Sequence, residues 1–290
     1  MHPAGSVIVF TVASGLGFGL LTWLGIGVPT LKGWHAFWYY AVAFGLAGGG
    51  LLASTFHLGN PQRFLKAFSQ WRSSWLSREG CLAVASMAVM GVFAICSIFM
   101  GSIWQPLGYI GAALSVLTIF ATSMIYAQLK TVPRWNHWTT PCLFLLLSLG
   151  GGALLALQTW SAGILIGLAG VVQLLAWYLG DNQFKRRGSN TGTATGLGFR
   201  GTVRSFESPH TGNNYLLKEM VHKVGRKHAQ KLRVIAFALM IVSPLICLFI
   251  SFSIPVVAVA LVLHILGIFT QRWLFFAEAE HVVGLYYGKR

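Results

Sequence analysis

Long apolar runs separated by short polar stretches dominate the chain. Eight of them can be marked, at about 6–27, 35–56, 81–101, 106–129, 139–158, 161–179, 234–251 and 254–276. A helix rises 1.5 Å per residue, so about 20 apolar residues cross a hydrocarbon core of about 30 Å, and each run is near that length. None alternates with the period of two that marks a half-buried strand. The connections at 28–34, 102–105, 159–160 and 252–253 are short, whereas 57–80 and 180–233 are long. The pattern predicts an all-α polytopic membrane protein with eight transmembrane helices. Within 57–80, Phe64, Phe68, Trp71 and Trp75 recur at three- and four-residue spacing, which predicts an amphipathic helix lying in the interface between spans 2 and 3. Residues 1–290 read as one integral membrane domain. Its one large polar insertion is the basic 180–233 loop, flexible near Gly188–Gly198 and helical after Asn214. The first run lacks the basic leader, short core and cleavage site of a removable signal peptide.

Composition supports the reading and charge orients it. Apolar residues make up 55% of the 290 and charged residues only 9%, against about a quarter in a soluble domain. The formal net charge is +15. No separate basic domain with its own core accompanies it, so membrane lipid and not nucleic acid is the expected anionic partner. With eight spans, 20 of the 21 Lys and Arg fall on one side and Lys32 stands alone on the other. The positive-inside rule puts the basic side, with both termini, in the cytoplasm of a bacterial inner membrane. Cys81, Cys96, Cys142 and Cys247 form no C-x-x-C and lie in apolar runs, so they read as structural thiols and not as ligands of a metal.

Candidate chemistry gathers on the basic side. His57 ends span 2 and Glu79 opens span 3, at matching depth in an antiparallel pair. An ionisable group at a span end pairs, faces water or works. The histidine can hydrogen-bond a quinone carbonyl and the carboxylate can carry its proton; the alternative is a structural pair that pins the loop through Arg78. The Phe/Trp segment between them can anchor in the interface or roof a pocket entered from the lipid. Arg272, inside the last turns of span 8, calls for a buried partner. Glu278 lies off its best pairing face, so a carboxylate from another helix, such as Glu79, suits it better. Haem b is not expected, because His264 is the only histidine deep in a span and two ligands at matching depth are needed. A transporter without redox role is the alternative from another class, yet none of the six acids sits at mid-membrane, where a proton-coupled transporter would use one.

On these residues the chain resembles the membrane anchor subunits of the dimethyl sulfoxide reductase family of molybdenum enzymes. The resemblance covers the eight-span layout, Phe56-His57-Leu58-Gly59-Asn60-Pro61, Leu76-Ser77-Arg78-Glu79, Thr131-Val132-Pro133-Arg134-Trp135 and Gln271-Arg272-Trp273. It implies a haem-free anchor that exchanges electrons with ubiquinone or menaquinone, with His57 and Glu79 at the quinone site. Arg63, Trp71, Arg72, Trp75, Arg78 and Arg272 are the further candidates around it. It also implies an iron–sulfur partner with four [4Fe–4S] clusters and a catalytic partner holding a molybdenum bis-pyranopterin cofactor. The cytoplasmic orientation and the basic 180–233 loop resemble the anchor of the cytoplasmic sulfite dehydrogenases, which implies sulfite oxidation with quinone reduction. The alternative is a quinol-oxidising anchor of a dimethyl sulfoxide or polysulfide reductase.

Overall fold

The computed structural model describes residues 1–56, 61–207, 212, 214–221 and 228–288, with the backbone alone at 61–64. No strand occurs among the described residues. The long helices are α1 (Gly5–Gly25), α2 (Gly33–Thr55), α3 (Trp75–Phe99), α4 (Gln105–Ala127), α5 (Thr139–Leu155), α6 (Thr159–Arg186), α7 (Ala229–Ile250) and α8 (Ile254–Ala277). Seven are long and apolar enough to cross a membrane; α5, at 17 residues, is a shorter apolar helix. In a membrane every backbone polar group must be satisfied within the protein, which helices do locally.

The bundle is built around α1. Of its most apolar 18-residue window 78% is buried, against 28% in α2, α6 and α7. It packs on α2, α4, α5 and α8, while α5, α6, α7 and α8 close a ring on one side and α2, α3 and α4 line up on the other. Small residues permit this closeness. A Cβ on Gly19 would lie 2.0 Å from the Ser148 carbonyl oxygen of α5, and one on Gly152 would lie 2.3 Å from the carbonyl carbon of Gly19.

α7 is not regular. Its middle turn, Ala238–Val242, is a π-turn in which Ser243 N–H bonds the Ala238 carbonyl. Pro244 follows, and a proline offers no N–H to the carbonyl four residues back, which is Met240. That carbonyl instead accepts from Nδ1 of His264 on α8, at 2.7 Å. The deep histidine is therefore bound as a cap on a neighbouring helix.

Alternate connections meet at one loop-rich end. There Met1 N donates to Ala279 O (2.7 Å) and Val282 N to Thr131 O (3.0 Å). Tyr286 OH donates to Ala194 O (2.6 Å) in the short helix Thr191–Thr195, which Asn190 caps. Between α2 and α3 a 3₁₀ helix spans Pro61–Phe68, followed by turns until α3 opens at Trp75. The amphipathic stretch is thus divided: Phe68 sits over Gly80, Trp71 is exposed in the turns, and Trp75 belongs to α3.

Candidate functional site

Glu79 lies one turn inside α3 and is 4% exposed. Its Oε1 is in a short hydrogen bond with Oγ1 of Thr122 on α4, and the same hydroxyl lies 3.0 Å from the Thr118 carbonyl. A hydroxyl has one proton and two lone pairs. Thr122 can therefore donate to a carboxylate, or donate to Thr118 and accept from a carboxylic acid. The seam continues inward, because seven residues are about two turns: Ser86 and Ser115 bond each other at 2.8 Å.

One turn beyond Thr122, Tyr126 enters an aromatic box at the loop-rich end. Its ring centroid is 5.3 Å from Trp135, 5.7 Å from Phe144, 5.5 Å from Phe275 and 5.6 Å from Phe276. Trp135 is locked by stacking on Phe275 at 5.1 Å and by donating Nε1–H to the Phe275 carbonyl at 2.9 Å. Arg272, 2% exposed, lays its guanidinium 3.5 Å from the centroid of Phe144. A cation over a ring face is attracted by its quadrupole, but that contact uses no N–H. Arg272 Nε and Nη1 are buried without a hydrogen-bond partner among the described residues. The expected pairing of Arg272 with Glu79 is not made among the described residues. Tyr126 is within electrostatic range of both.

Other candidates form a separate surface group. Arg78 donates from Nε to the Trp71 carbonyl (3.0 Å) and from Nη2 to the Arg72 carbonyl (2.7 Å), and lies 4.4 Å over the Trp75 ring. Arg72 reaches over Trp71 at 5.4 Å, and Trp75 meets Phe120 edge-on at 5.9 Å. Arg78 thus braces the turn before α3. His57 and the side chain of Arg63 lie outside the described residues. The structure brings Glu79 and Arg272 around Tyr126, and leaves Trp71, Arg72 and Arg78 on the surface beside α3.

A second charged cluster was not foreseen. Asp181 of α6 accepts from Arg134 (2.6 Å) and twice from Arg233 of α7 (2.6 and 2.8 Å). Glu278, just past α8, takes Arg233 Nε at 2.6 Å and Arg134 Nη1 at 3.5 Å. Four segments are joined by two cations and two anions. Asp181 is the only aspartate in the sequence, which was the available signal. Thr122 and Tyr126 were missed as well; the i, i+4 spacing of Thr118, Thr122 and Tyr126 puts them on one face. Beside this cluster, His137 is held below the usual histidine range by burial and by Arg186, and His281 by burial and by the N-terminal amine.

Residues 1–184 match the family described as DMSO reductase anchor subunit (DmsC). The protein is 31% identical to a sulfite dehydrogenase subunit of Allochromatium vinosum over 329 aligned positions, covering 99% of each sequence. It is 34% identical to YnfH, an anaerobic dimethyl sulfoxide reductase chain of Escherichia coli, over 116 positions, 38% of this sequence and 40% of that one. Another anaerobic dimethyl sulfoxide reductase chain of Escherichia coli is 29% identical over 132 positions, 43% of each. No solved structure matches the protein.

Proposed function

The protein belongs to the family of DMSO reductase anchor subunits, and from that premise we propose that it is the quinone-reactive anchor of a molybdenum sulfite dehydrogenase. The observation that carries this reading is the match to the Allochromatium vinosum sulfite dehydrogenase subunit along 99% of both sequences; the sulfoxide reductase chains align over less than half. The polypeptide spans the inner membrane eight times, α5 included, with its loop-rich end and both termini in the cytoplasm. A catalytic partner with a molybdenum bis-pyranopterin cofactor oxidises sulfite and water to sulfate, releasing two electrons and two protons. A partner with four [4Fe–4S] clusters conducts the electrons to this anchor, and no haem intervenes. The basic 180–233 loop forms part of the docking face within the single membrane domain.

Ubiquinone or menaquinone fits the residues present. Arg272 offers two buried N–H-bearing nitrogens without partners beside aromatic rings, and Glu79 offers a buried carboxyl whose hydroxyl neighbour can bond either protonation state. Glu79, Arg272 and His57 would hold the ring, with Trp75 closing the side toward the lipid. When bound, the quinone takes up the two electrons together with two protons. Arg272 orients a carbonyl oxygen by charge-assisted donation. Glu79 holds a proton at Oε1, and Thr122 turns its hydroxyl to suit. His57 exchanges protons with the cytoplasm. Arg78 keeps the approach to Glu79 in place by binding the Trp71 and Arg72 carbonyls. Arg63 and Arg72 contribute to docking the iron–sulfur partner or the lipid surface, beside the exposed Trp71.

Glu79→Gln and His57→Gln test the site. Each should lower quinone-linked sulfite oxidation by about 100-fold or more, the usual scale of a positioned acid–base group, while dye-linked oxidation and assembly persist. Quinone-linked turnover that survives both substitutions rules the site out. The reading as a reductase anchor that oxidises quinol is separated by the catalytic partner: an export signal on it places chemistry on the other side of the membrane.

A further inference from the structure

Between α6 and α7 a groove of about 420 Å³ opens toward the surface of the bundle. Leu174 and Trp177 form its α6 wall, and Val234, Phe237, Ala238 and Val242 its α7 wall. Its polar residues, Gln230 and Arg233, sit at one end only. From Gln230 to Val242 the wall is about 18 Å long at 1.5 Å per residue.

The π-turn makes this groove. Positions 230, 233, 234, 237 and 238 follow the three- and four-residue spacing of one helix face. A regular helix would bring residue 241 next. The extra residue of the π-turn turns Ile241 inward, where it is 4% exposed and fills the space a Cβ on Gly170 would need. Val242 takes its place on the outer wall, and Ala238 leaves a low floor.

The polar end is cationic beyond what its acids neutralise. Asp181 and Glu278 are already shared between Arg134 and Arg233. Lys231 is exposed beside Gln230. Lys185 is exposed and continues the α6 stripe of Leu174, Trp177 and Asp181 at helical spacing. Arg233 uses one N–H of each terminal nitrogen on Asp181, leaving one N–H on each. Apolar walls below a basic rim complement an amphiphile with a negative head.

We propose that this groove is a specific seat for an anionic phospholipid. An acyl chain lies along Phe237, Ala238 and Val242, and the phosphate meets Lys231, Gln230 and the outer N–H groups of Arg233. The seat shares no lining residue with the proposed quinone site, so the two readings fail separately.

The test uses the full-length protein, with the subunits that copurify, in nanodiscs of phosphatidylcholine containing phosphatidylglycerol as the minor lipid. Lipid retained after extraction into mild detergent is identified by native mass spectrometry. The wild type should retain phosphatidylglycerol over phosphatidylcholine. Ala238→Trp, which fills the groove, should lower the retained phosphatidylglycerol by about tenfold, a loss of about 1.4 kcal/mol in affinity. Lys185→Gln with Lys231→Gln leaves the groove open and should bring the two lipids to parity. Equal retention of both lipids by the wild type overturns the proposal. So does undiminished phosphatidylglycerol in Ala238→Trp, or a quinone that Ala238→Trp displaces in place of the lipid. If Ala238→Trp fails to assemble, the double lysine variant decides alone: an unchanged preference overturns the seat.

Discussion

Arg134 and Arg233 meet Asp181 and Glu278 in a closed ring of ion pairs, whereas Arg272 and Glu79, buried more deeply, make no ion pair with each other among the described residues. The ring is partly wet, with the Asp181 side chain 43% exposed, and every charge in it has a partner. Arg272 has an aromatic face and orphaned donors; Glu79 has a hydroxyl. Removing ions from water costs several kcal/mol each even after relaxation. The ring offsets that cost internally. The Arg272 and Glu79 arrangement leaves it open, as the proposed quinone site requires. One cluster contributes to holding four segments together; the other, on that proposal, supplies donors and a proton position.

The ion-pair ring is most sensitive at Arg233. Arg233→Met leaves Glu278, whose side chain is 6% exposed, with only Arg134 at 3.5 Å, and should lower unfolding stability by about 3 kcal/mol, the low end of the scale for one partner lost from a buried pair. A denaturant titration of the purified protein that shows no change removes the structural role. Arg272→Met should do the reverse. An unpaired buried cation replaced by an apolar side chain of similar length leaves stability equal or higher, while quinone-linked turnover falls by about 100-fold, the scale of one lost oriented donor. If stability and turnover fall together, Arg272 is structural. A double-mutant cycle on Arg134 and Glu278, 3.5 Å apart, should give a coupling of about 1 kcal/mol. The smallest effect is at His281, whose Nδ1 accepts the Val283 N–H at 3.0 Å. Its folded pKa is lowered, so the unfolded state takes up the proton first as pH falls below about 6.5, and folding weakens until the folded pKa is passed. Hydrogen-exchange protection at 282–288, taken relative to the intrinsic rate at each pH, should fall over that window and stay flat in His281→Asn.

The apolar runs were legible because period and length survive in one dimension. Where helix ends departed from the runs, charges had been absorbed. α3 starts at Trp75 and not near 81, since Arg78 is satisfied by the Trp71 and Arg72 carbonyls and Glu79 by Thr122. α6 runs on to Arg186 past Asp181, which two arginines neutralise. Both stretches read as polar connection when taken alone. The choice of Glu79 and Arg272 rested on single residues out of place in apolar surroundings, and both are indeed buried. Their mutual geometry was not legible. Which helix stands between two others depends on close contacts such as Gly19 on Ser148, and no spacing within one helix reports that.

The central position of α1 also bears on how the protein is made. Synthesis runs from the N-terminal side, so the most buried helix enters the membrane before its partners α5 and α8. Until then the face around Gly19 has only lipid against it, and the amine of Met1 has no Ala279 carbonyl to hold. The bundle therefore closes only when α8 docks back on α1. A polypeptide cut short before α8 would leave the face of α1 that meets α8 without its partner.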